Sequence, residues 1–260
     1  MNLYKKIKFK FKDIGAIGLA VWAIKCSINI IFWNLKYPLR QLERYLFYKK
    51  DIEIIFQTIY DGNTWSSTES RSGRGSEILY TENLRLWLVK NIPNYNIKVI
   101  VDSPCGDFNW MRYVLKHVSA DYLGIDIVEK LIDKNVMKYS SKNIAFKKGN
   151  IIKDPIPPCD LLIVRDCLFH FSFNDINRFL ENIDKTNYKY LLTSSHVVGN
   201  DFKNHDIKTG DYRRINLFKP PFNFRQDKIL ETINDFPIGH EKPKKMILIN
   251  KEYIPKSILF

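Results

Sequence analysis

The stretch Lys98–Met111, KVIVDSPCGDFNWM, decides how the rest of the chain is interpreted. Its apolar, β-branched run Val99–Val101 has the composition and length of a buried strand. Asp102 ends this run, and a turn containing Gly106 leads into a helix that the pattern predicts over Trp110–Val118. A strand, a tight turn and a helix in this order present backbone N–H groups at the carboxyl end of the strand, where α/β sheets bind ligands.

Three later segments repeat this pattern at a regular spacing. Tyr122–Asp126 predicts a second strand that ends in an acid, and a carboxylate at that place can accept hydrogen bonds from both hydroxyls of a ribose. Ile144–Ile151 predicts a third strand and turn, and Asp160–Val164 predicts a fourth strand. The order of strands and ligand-type residues therefore predicts a nucleotide-binding α/β fold.

The segment that begins at Asp102, DSPCGDF, resembles motif I of the class I S-adenosylmethionine-dependent methyltransferases, which carries an acidic residue followed by G-x-G-x-G. Pro104 and Cys105 stand where the family has small residues, and Phe108 replaces the last glycine. The resemblance covers about residues 60–250. It implies an α/β fold with a Rossmann-like, seven-stranded, mostly parallel sheet whose last strand is antiparallel, and S-adenosyl-L-methionine as the cofactor.

The resemblance also implies where the cofactor binds. Asp126 would hold the ribose, and Asn150 stands where the family usually has an Asp that bonds the adenine amino group. Arg165 would hold the methionine carboxylate, with a substrate anion or a buried ion pair as alternatives. The residues predicted to bind the cofactor are Asp102, Pro104, Cys105, Gly106, Asp126, Ile127, Asn150, Ile151 and Arg165.

The catalytic candidates follow the fourth and fifth predicted strands. Because S-adenosylmethionine is already activated, a methyltransferase mainly aligns the acceptor and removes its proton. Asp166 and His170 are four residues apart, so they share one face if a helix begins there, and Asp166 could then orient His170 as a base. The alternative is that His170 only packs. Tyr188–Ser195 predicts the fifth strand, and His196 follows it at a position where a side chain would face the substrate.

Two loops supply candidates for acceptor binding. Residues 61–76 are rich in Ser, Thr and Gly, and they form either a solvated linker or a loop that folds over the site and offers N–H groups and arginines to an anion. This loop resembles an element of one bacterial subgroup of the family, often encoded among glycan-modification genes. Residues 200–224 form a loop too long for a mere connection. The substrate-binding candidates are Trp65, Arg71, Arg74, Arg213 and Arg214.

The positive charge is concentrated at the N-terminus. Residues 1–50 hold eleven Lys and Arg against two Asp and Glu, a net charge of +9, whereas the rest of the chain carries +4. Residues 14–33 are mostly apolar, but Lys25 near the middle disfavours a membrane span and favours an amphipathic helix. Such a helix could contact an anionic membrane surface, pack on the domain or pack on a second subunit. We predict a helical extension over residues 1–60 and a methyltransferase domain over residues 61–260.

Other features of the composition exclude several classes of function. The four cysteines form no C-x-x-C pair, and no spacing of His, Asp and Glu suggests a metal site, so we expect a reduced, cytoplasmic protein without a metal. The modest charge of the domain argues against a nucleic-acid partner. The sequence predicts methyl transfer to an oxygen of a small polar or glycan-type acceptor. The alternatives are N-methylation of a phosphorylated amine and a non-catalytic, membrane-associated protein that retains the fold.

Overall fold

The structure is a computed structural model that describes residues 50–235 and 243–258, together with isolated positions between residues 21 and 48. The chain divides into two compact units, residues 1–50 and 51–260. The second unit begins ten residues before the boundary expected at residue 60, because helix α1 (Ile52–Asp61) belongs to it. Phe56 of α1 is buried and packs against Phe171, with 6.0 Å between the ring centroids.

The prediction of an amphipathic helix over residues 14–33 lies almost wholly outside the described residues. Among the residues that are described, no helix is long and apolar enough to cross a membrane.

Seven strands among the described residues form one sheet in the order β3-β2-β1-β4-β5-β7-β6. The first five strands pair in parallel, β7 runs antiparallel to β5, and β6 runs antiparallel to β7. This arrangement confirms the predicted seven-stranded, mostly parallel sheet. The strands are β1 (Val99–Asp102), β2 (Asp121–Asp126), β3 (Ile144–Lys148), β4 (Cys159–Val164), β5 (Tyr188–His196), β6 (Ile229–Asn234) and β7 (Lys244–Asn250).

The helix before β1 is α2 (Glu82–Asn94), and the helix after β1 is α3 (Met111–Val114), which is shorter than the predicted Trp110–Val118. The two remaining helices are α4 (Glu129–Tyr139) and α5 (Phe173–Asp184). Ser172 caps α5, because its hydroxyl accepts a hydrogen bond from the backbone N–H of Asp175 at 3.1 Å.

The core lies on both faces of the central strands. Leu161, Leu162, Ile163 and Val164 of β4 are fully buried, which is typical of a parallel strand covered by helices on both sides. The carboxyl ends of β1, β2, β3 and β4 meet at one edge of the sheet. Because these ends carry the polar residues that the sequence singled out, this edge is where a ligand site is expected.

Candidate active site

A first cavity lies at the carboxyl ends of β1 to β4. The empty space between its walls is about 930 Å³, which includes open solvent at its mouth. The structure places every residue predicted to bind the cofactor in the wall of this cavity. These residues are Asp102, Pro104, Cys105, Gly106, Asp126, Ile127, Asn150, Ile151 and Arg165.

Asp126 and Gly106 line the first cavity and contact each other. The Asp126 carboxylate accepts hydrogen bonds from the backbone N–H of Gly106 and of Val128, each at 3.0 Å. Burial raises the pKa of Asp126 to about 6, because these N–H groups only partly replace the lost water. Gly106 has a φ of +56°, and a Cβ at this residue would lie 2.9 Å from Cβ of Ser72. The turn therefore requires glycine here.

Asp102 and Asn150 are held by their own neighbours. The hydroxyl of Tyr122 donates to Asp102 at 2.9 Å, and burial raises the pKa of Asp102 to about 7. The side-chain oxygen of Asn150 accepts from the backbone N–H of Ile152 at 3.0 Å. Both side chains are thus oriented by groups of the protein.

A second cavity adjoins the first one. It has a volume of about 820 Å³ and an aromatic wall made by Trp65, Tyr80, Phe169 and Tyr212. Its remaining lining consists of loop residues, two histidines and three charged side chains, namely Ser72, Gly73, Arg74, Gly75, Asp166, His170, His196 and Lys244. Four residues line both cavities: Trp65, Ser72, Asp166 and His170.

His170 stands at this shared wall in a defined protonation state. Its Nδ1 lies 2.8 Å from the backbone carbonyl of Asp211. Because a carbonyl only accepts, Nδ1 carries the hydrogen, and Nε2 is the basic nitrogen of the neutral ring. Burial lowers the pKa of His170, which keeps the ring neutral. The rings of Trp65 and Phe169 pack against it, with centroids at 5.5 and 4.7 Å.

The predicted pairing of Asp166 with His170 on one helix face is wrong. Asp166 has a φ of +52°, and the first helical residue is Leu168, in a short 3-10 turn. The carboxylate instead binds Nζ of Lys244 at 2.5 and 2.6 Å, and the hydroxyl of Ser194 donates to it at 3.0 Å. His170 is therefore oriented by a backbone carbonyl rather than by this carboxylate.

Asp166 belongs to a buried network of four charges. Arg165 donates to Asp235 through Nε at 3.0 Å and through Nη2 at 2.9 Å, and Lys244 lies 3.3 Å from the same carboxylate. Although burial alone would raise the pKa of Asp166, the Arg165 and Lys244 cations hold it well below its usual range. Asp166 is thus a fixed anion and not a base. Arg165 forms a buried ion pair with Asp235, which is one of the alternatives that the sequence left open for this residue.

Among the comparisons with known proteins, only the one with solved structures finds matches. No family model matches the chain, and no curated protein matches it. Magnesium protoporphyrin IX methyltransferase (ChlM) from Synechocystis PCC 6803, solved with bound S-adenosylmethionine, is 13% identical with a TM-score of 0.56; the match covers 78% of this chain and 98% of that one. The chain has the fold of the class I methyltransferases.

Two other solved methyltransferase-fold structures are larger than this chain. Human N-acetylserotonin methyltransferase in complex with S-adenosylmethionine is 14% identical with a TM-score of 0.47, and PigF with S-adenosylhomocysteine is 13% identical with a TM-score of 0.49. Each match covers 66% of this chain, and the chain spans only 55% and 56% of the lengths of those proteins.

His196 lines the second cavity of the methyltransferase fold, but both of its ring nitrogens are engaged. Nδ1 accepts from the backbone N–H of Ile215 at 3.2 Å, so Nε2 carries the hydrogen and donates to the hydroxyl of Tyr212 at 3.2 Å. Burial lowers the pKa of His196 to about 4. With both nitrogens engaged, the ring of His196 offers no free lone pair as a proton acceptor, and its contact with Tyr212 holds that residue in the wall of the cavity.

The arginines predicted to bind the substrate do not converge on one place. Arg71 lines the first cavity and Arg74 the second. Arg213 is buried, donates to the carbonyl of Phe171 at 2.6 Å and has its pKa lowered by burial to about 10. Arg214 lies over the ring of Phe202 at 5.4 Å. Neither Arg213 nor Arg214 is part of the wall of either cavity. This corrects the prediction that these two arginines bind the substrate.

Lys244 and Tyr212 are site residues that the sequence did not indicate. Lys244 begins β7 and is only 5% exposed, which is rare for a lysine without a partner. Its partner Asp166 is 78 residues away in the chain, so no local pattern indicates this pairing. Lys244 and Lys245 both precede the apolar run Met246–Ile249, and this local pattern does not distinguish the buried lysine from the next one.

Proposed function

We propose that this chain binds S-adenosylmethionine in the first cavity and transfers its methyl group to an acceptor in the second. The observation that carries the proposal is the shared wall. Trp65, Ser72, Asp166 and His170 line both cavities, so a donor in one and an acceptor in the other would meet beside His170. An in-line displacement needs this kind of mutual placement.

The residues of the first cavity fit the cofactor. The Asp126 carboxylate is buried and has a raised pKa, so its charge is not fully stabilised by the protein. Two hydroxyl donors of a ribose would supply the missing hydrogen bonds, since a carboxylate offers about four acceptor sites. The backbone turn at Gly106 packs against Ser72 of the loop, because Gly106 has no side chain.

The chain itself would supply the proton acceptor. The cofactor brings an activated methyl group, and the protein aligns the acceptor and removes its proton. His170 offers Nε2 as a neutral base, and the carbonyl of Asp211 would stabilise the imidazolium that forms. Phe169 and Tyr212 pack around the ring and limit the access of water.

The second cavity favours a small, ring-shaped acceptor that carries a hydroxyl group. Its wall of four aromatic rings suits stacking against a sugar or another ring, and Arg74 with the two histidines makes the rest polar. We therefore favour transfer to an oxygen of a small polar or glycan-type acceptor. N-methylation of a phosphorylated amine is less well supported, because Arg213 and Arg214 lie away from the cavities and cannot grip a phosphate there.

The formation of S-adenosylhomocysteine tests the reaction. Full-length protein is incubated with S-adenosylmethionine and a panel of sugars, sugar phosphates and phosphorylated amines. With an acceptor that is methylated, the His170→Gln variant, which lacks the base, should turn over at least about 100-fold more slowly than the wild type. The His205→Gln variant, changed at an exposed loop position, should turn over at nearly the wild-type rate. Cofactor binding without turnover on any acceptor would favour the non-catalytic alternative.

A further inference from the structure

The loop of residues 65–76 builds part of both cavities. Trp65 and Ser72 line both of them. Arg71 and Ser76 line only the first cavity, and Gly73, Arg74 and Gly75 line only the second. The shape of both cavities therefore depends on where this loop is held.

The loop is attached to the turn after β1 through Asp107. The Asp107 carboxylate accepts from the hydroxyl of Ser70 at 2.9 and 3.0 Å. It also accepts from the backbone N–H of Arg71 at 2.8 Å and from the hydroxyl of Ser72 at 3.3 Å. In return, the N–H of Asp107 donates to Ser72 at 2.8 Å. Hydrogen bonds to a carboxylate are among the strong ones in proteins, so Asp107 is a main point of attachment of the loop, beside Asn109, which donates to the carboxylate of Glu69 at 2.6 Å.

The same turn reaches the centre of the first cavity. Next to Asp107, Gly106 donates its N–H to Asp126 at 3.0 Å, and its carbonyl accepts from the side chain of Asn135 at 2.8 Å. On the other side, Asn109 donates to the carbonyl of Ser76 at 2.9 Å. The loop and the carboxylate that would hold the ribose are thus fixed to one short segment, residues 105–109.

We infer that Asp107 is a positioning residue that holds the loop in place and couples binding in the first cavity to the formation of the second. Asp107 belongs to the wall of neither cavity, so it acts through Ser70, Arg71 and Ser72 rather than by touching a ligand. The attachment itself stands on the hydrogen bonds above, whereas the identity of the coupled ligand, S-adenosylmethionine, rests on the proposed function.

Limited digestion with trypsin tests the attachment without any ligand. Arg71 and Arg74 are exposed and lie in the loop, so they report its release. Asp107→Ala should speed cleavage after these two residues at least about tenfold, because proteolysis follows the population of the open loop. The matched control is Asp133→Asn, at an exposed position on α4, and trypsin should cleave this variant at the wild-type rate. Equal rates for Asp107→Ala and the wild type would overturn the inference.

A second variant approaches the same contact from the loop. The double substitution Ser70→Ala with Ser72→Ala removes both hydroxyl donors and should reproduce the faster cleavage, even if Asp107→Ala does not fold. Cleavage of the double variant at the wild-type rate would refute the role of Asp107.

The coupling is tested with S-adenosylhomocysteine. At a saturating concentration it should slow cleavage of the wild-type loop at least about threefold and protect the Asp107→Ala loop much less, a contrast that a merely structural role does not produce. If calorimetry shows binding and the loop is cleaved at an unchanged rate, the coupling is wrong. If calorimetry shows no binding, the proposed function fails, while the ligand-free digestion still decides the attachment.

Discussion

Replacing Gly106 by alanine should destabilise the protein for two separate reasons. Gly106 has a φ of +56°, and an L-residue in this region costs about 1–2 kcal/mol. The added Cβ would lie 2.9 Å from Cβ of Ser72, so Ser72 must retreat and its hydrogen bond from the N–H of Asp107 is weakened. Losing that bond costs about 0.5–1.5 kcal/mol. We expect the free energy of unfolding to fall by about 2–3 kcal/mol.

Thermal unfolding followed by circular dichroism measures this loss. For a unit of this size, a fall of about 2–3 kcal/mol corresponds to roughly 4–12 °C in Tm. The control is Gly199→Ala, because a Cβ at Gly199 would meet nothing within 4 Å. If the two variants unfold within about 0.5 kcal/mol of each other, our account of the turn and of the loop that rests on it is refuted.

Three further predictions concern the charges of the protein. Lys244→Met leaves the buried carboxylate of Asp235 and the partly buried carboxylate of Asp166 without this cation and should lower the free energy of unfolding by about 3–5 kcal/mol in urea titrations, whereas Lys245→Met at the next position should change it by less than about 0.5 kcal/mol. Binding of S-adenosylhomocysteine should weaken as the pH falls through about 6, because ribose hydroxyls bind the ionised form of Asp126 and protonation removes it. Protonation of Asp126 should make the Kd measured by calorimetry about tenfold higher at pH 5 than at pH 7. The Asp126→Asn variant should not show this pH dependence. Full-length protein should sediment with anionic vesicles at low salt and be released at high salt, since residues 1–50 carry a net charge of +9; failure to sediment at low salt would contradict a membrane contact.

The parts of the site that the sequence could predict are those that follow strand ends. Asp102 and Asp126 end the strands β1 and β2, Asn150 stands two residues after the end of β3, and parallel strands bring such positions to one edge of the sheet. The local pattern therefore located them, and with them the first cavity.

The parts that could not be predicted depend on contacts between distant segments. Asp166 and Lys244 are 78 residues apart, and only the antiparallel pairing of β7 with β5 brings them together. The orientation of His170 is set by a backbone carbonyl, which leaves no mark in the sequence. The spacing of Asp166 and His170 suggested a helix face, but a residue with positive φ at Asp166 delays the helical turn to Leu168.

The most direct test of the central claim is calorimetric titration of S-adenosylhomocysteine into the wild type, Asp126→Ala and Asp121→Ala. Asp126 lines the first cavity, whereas Asp121 is exposed at the other end of the same strand and serves as the control. Our account predicts micromolar binding to the wild type and to Asp121→Ala, and its loss in Asp126→Ala. Absence of binding to the wild type, or unchanged binding by Asp126→Ala, would contradict it.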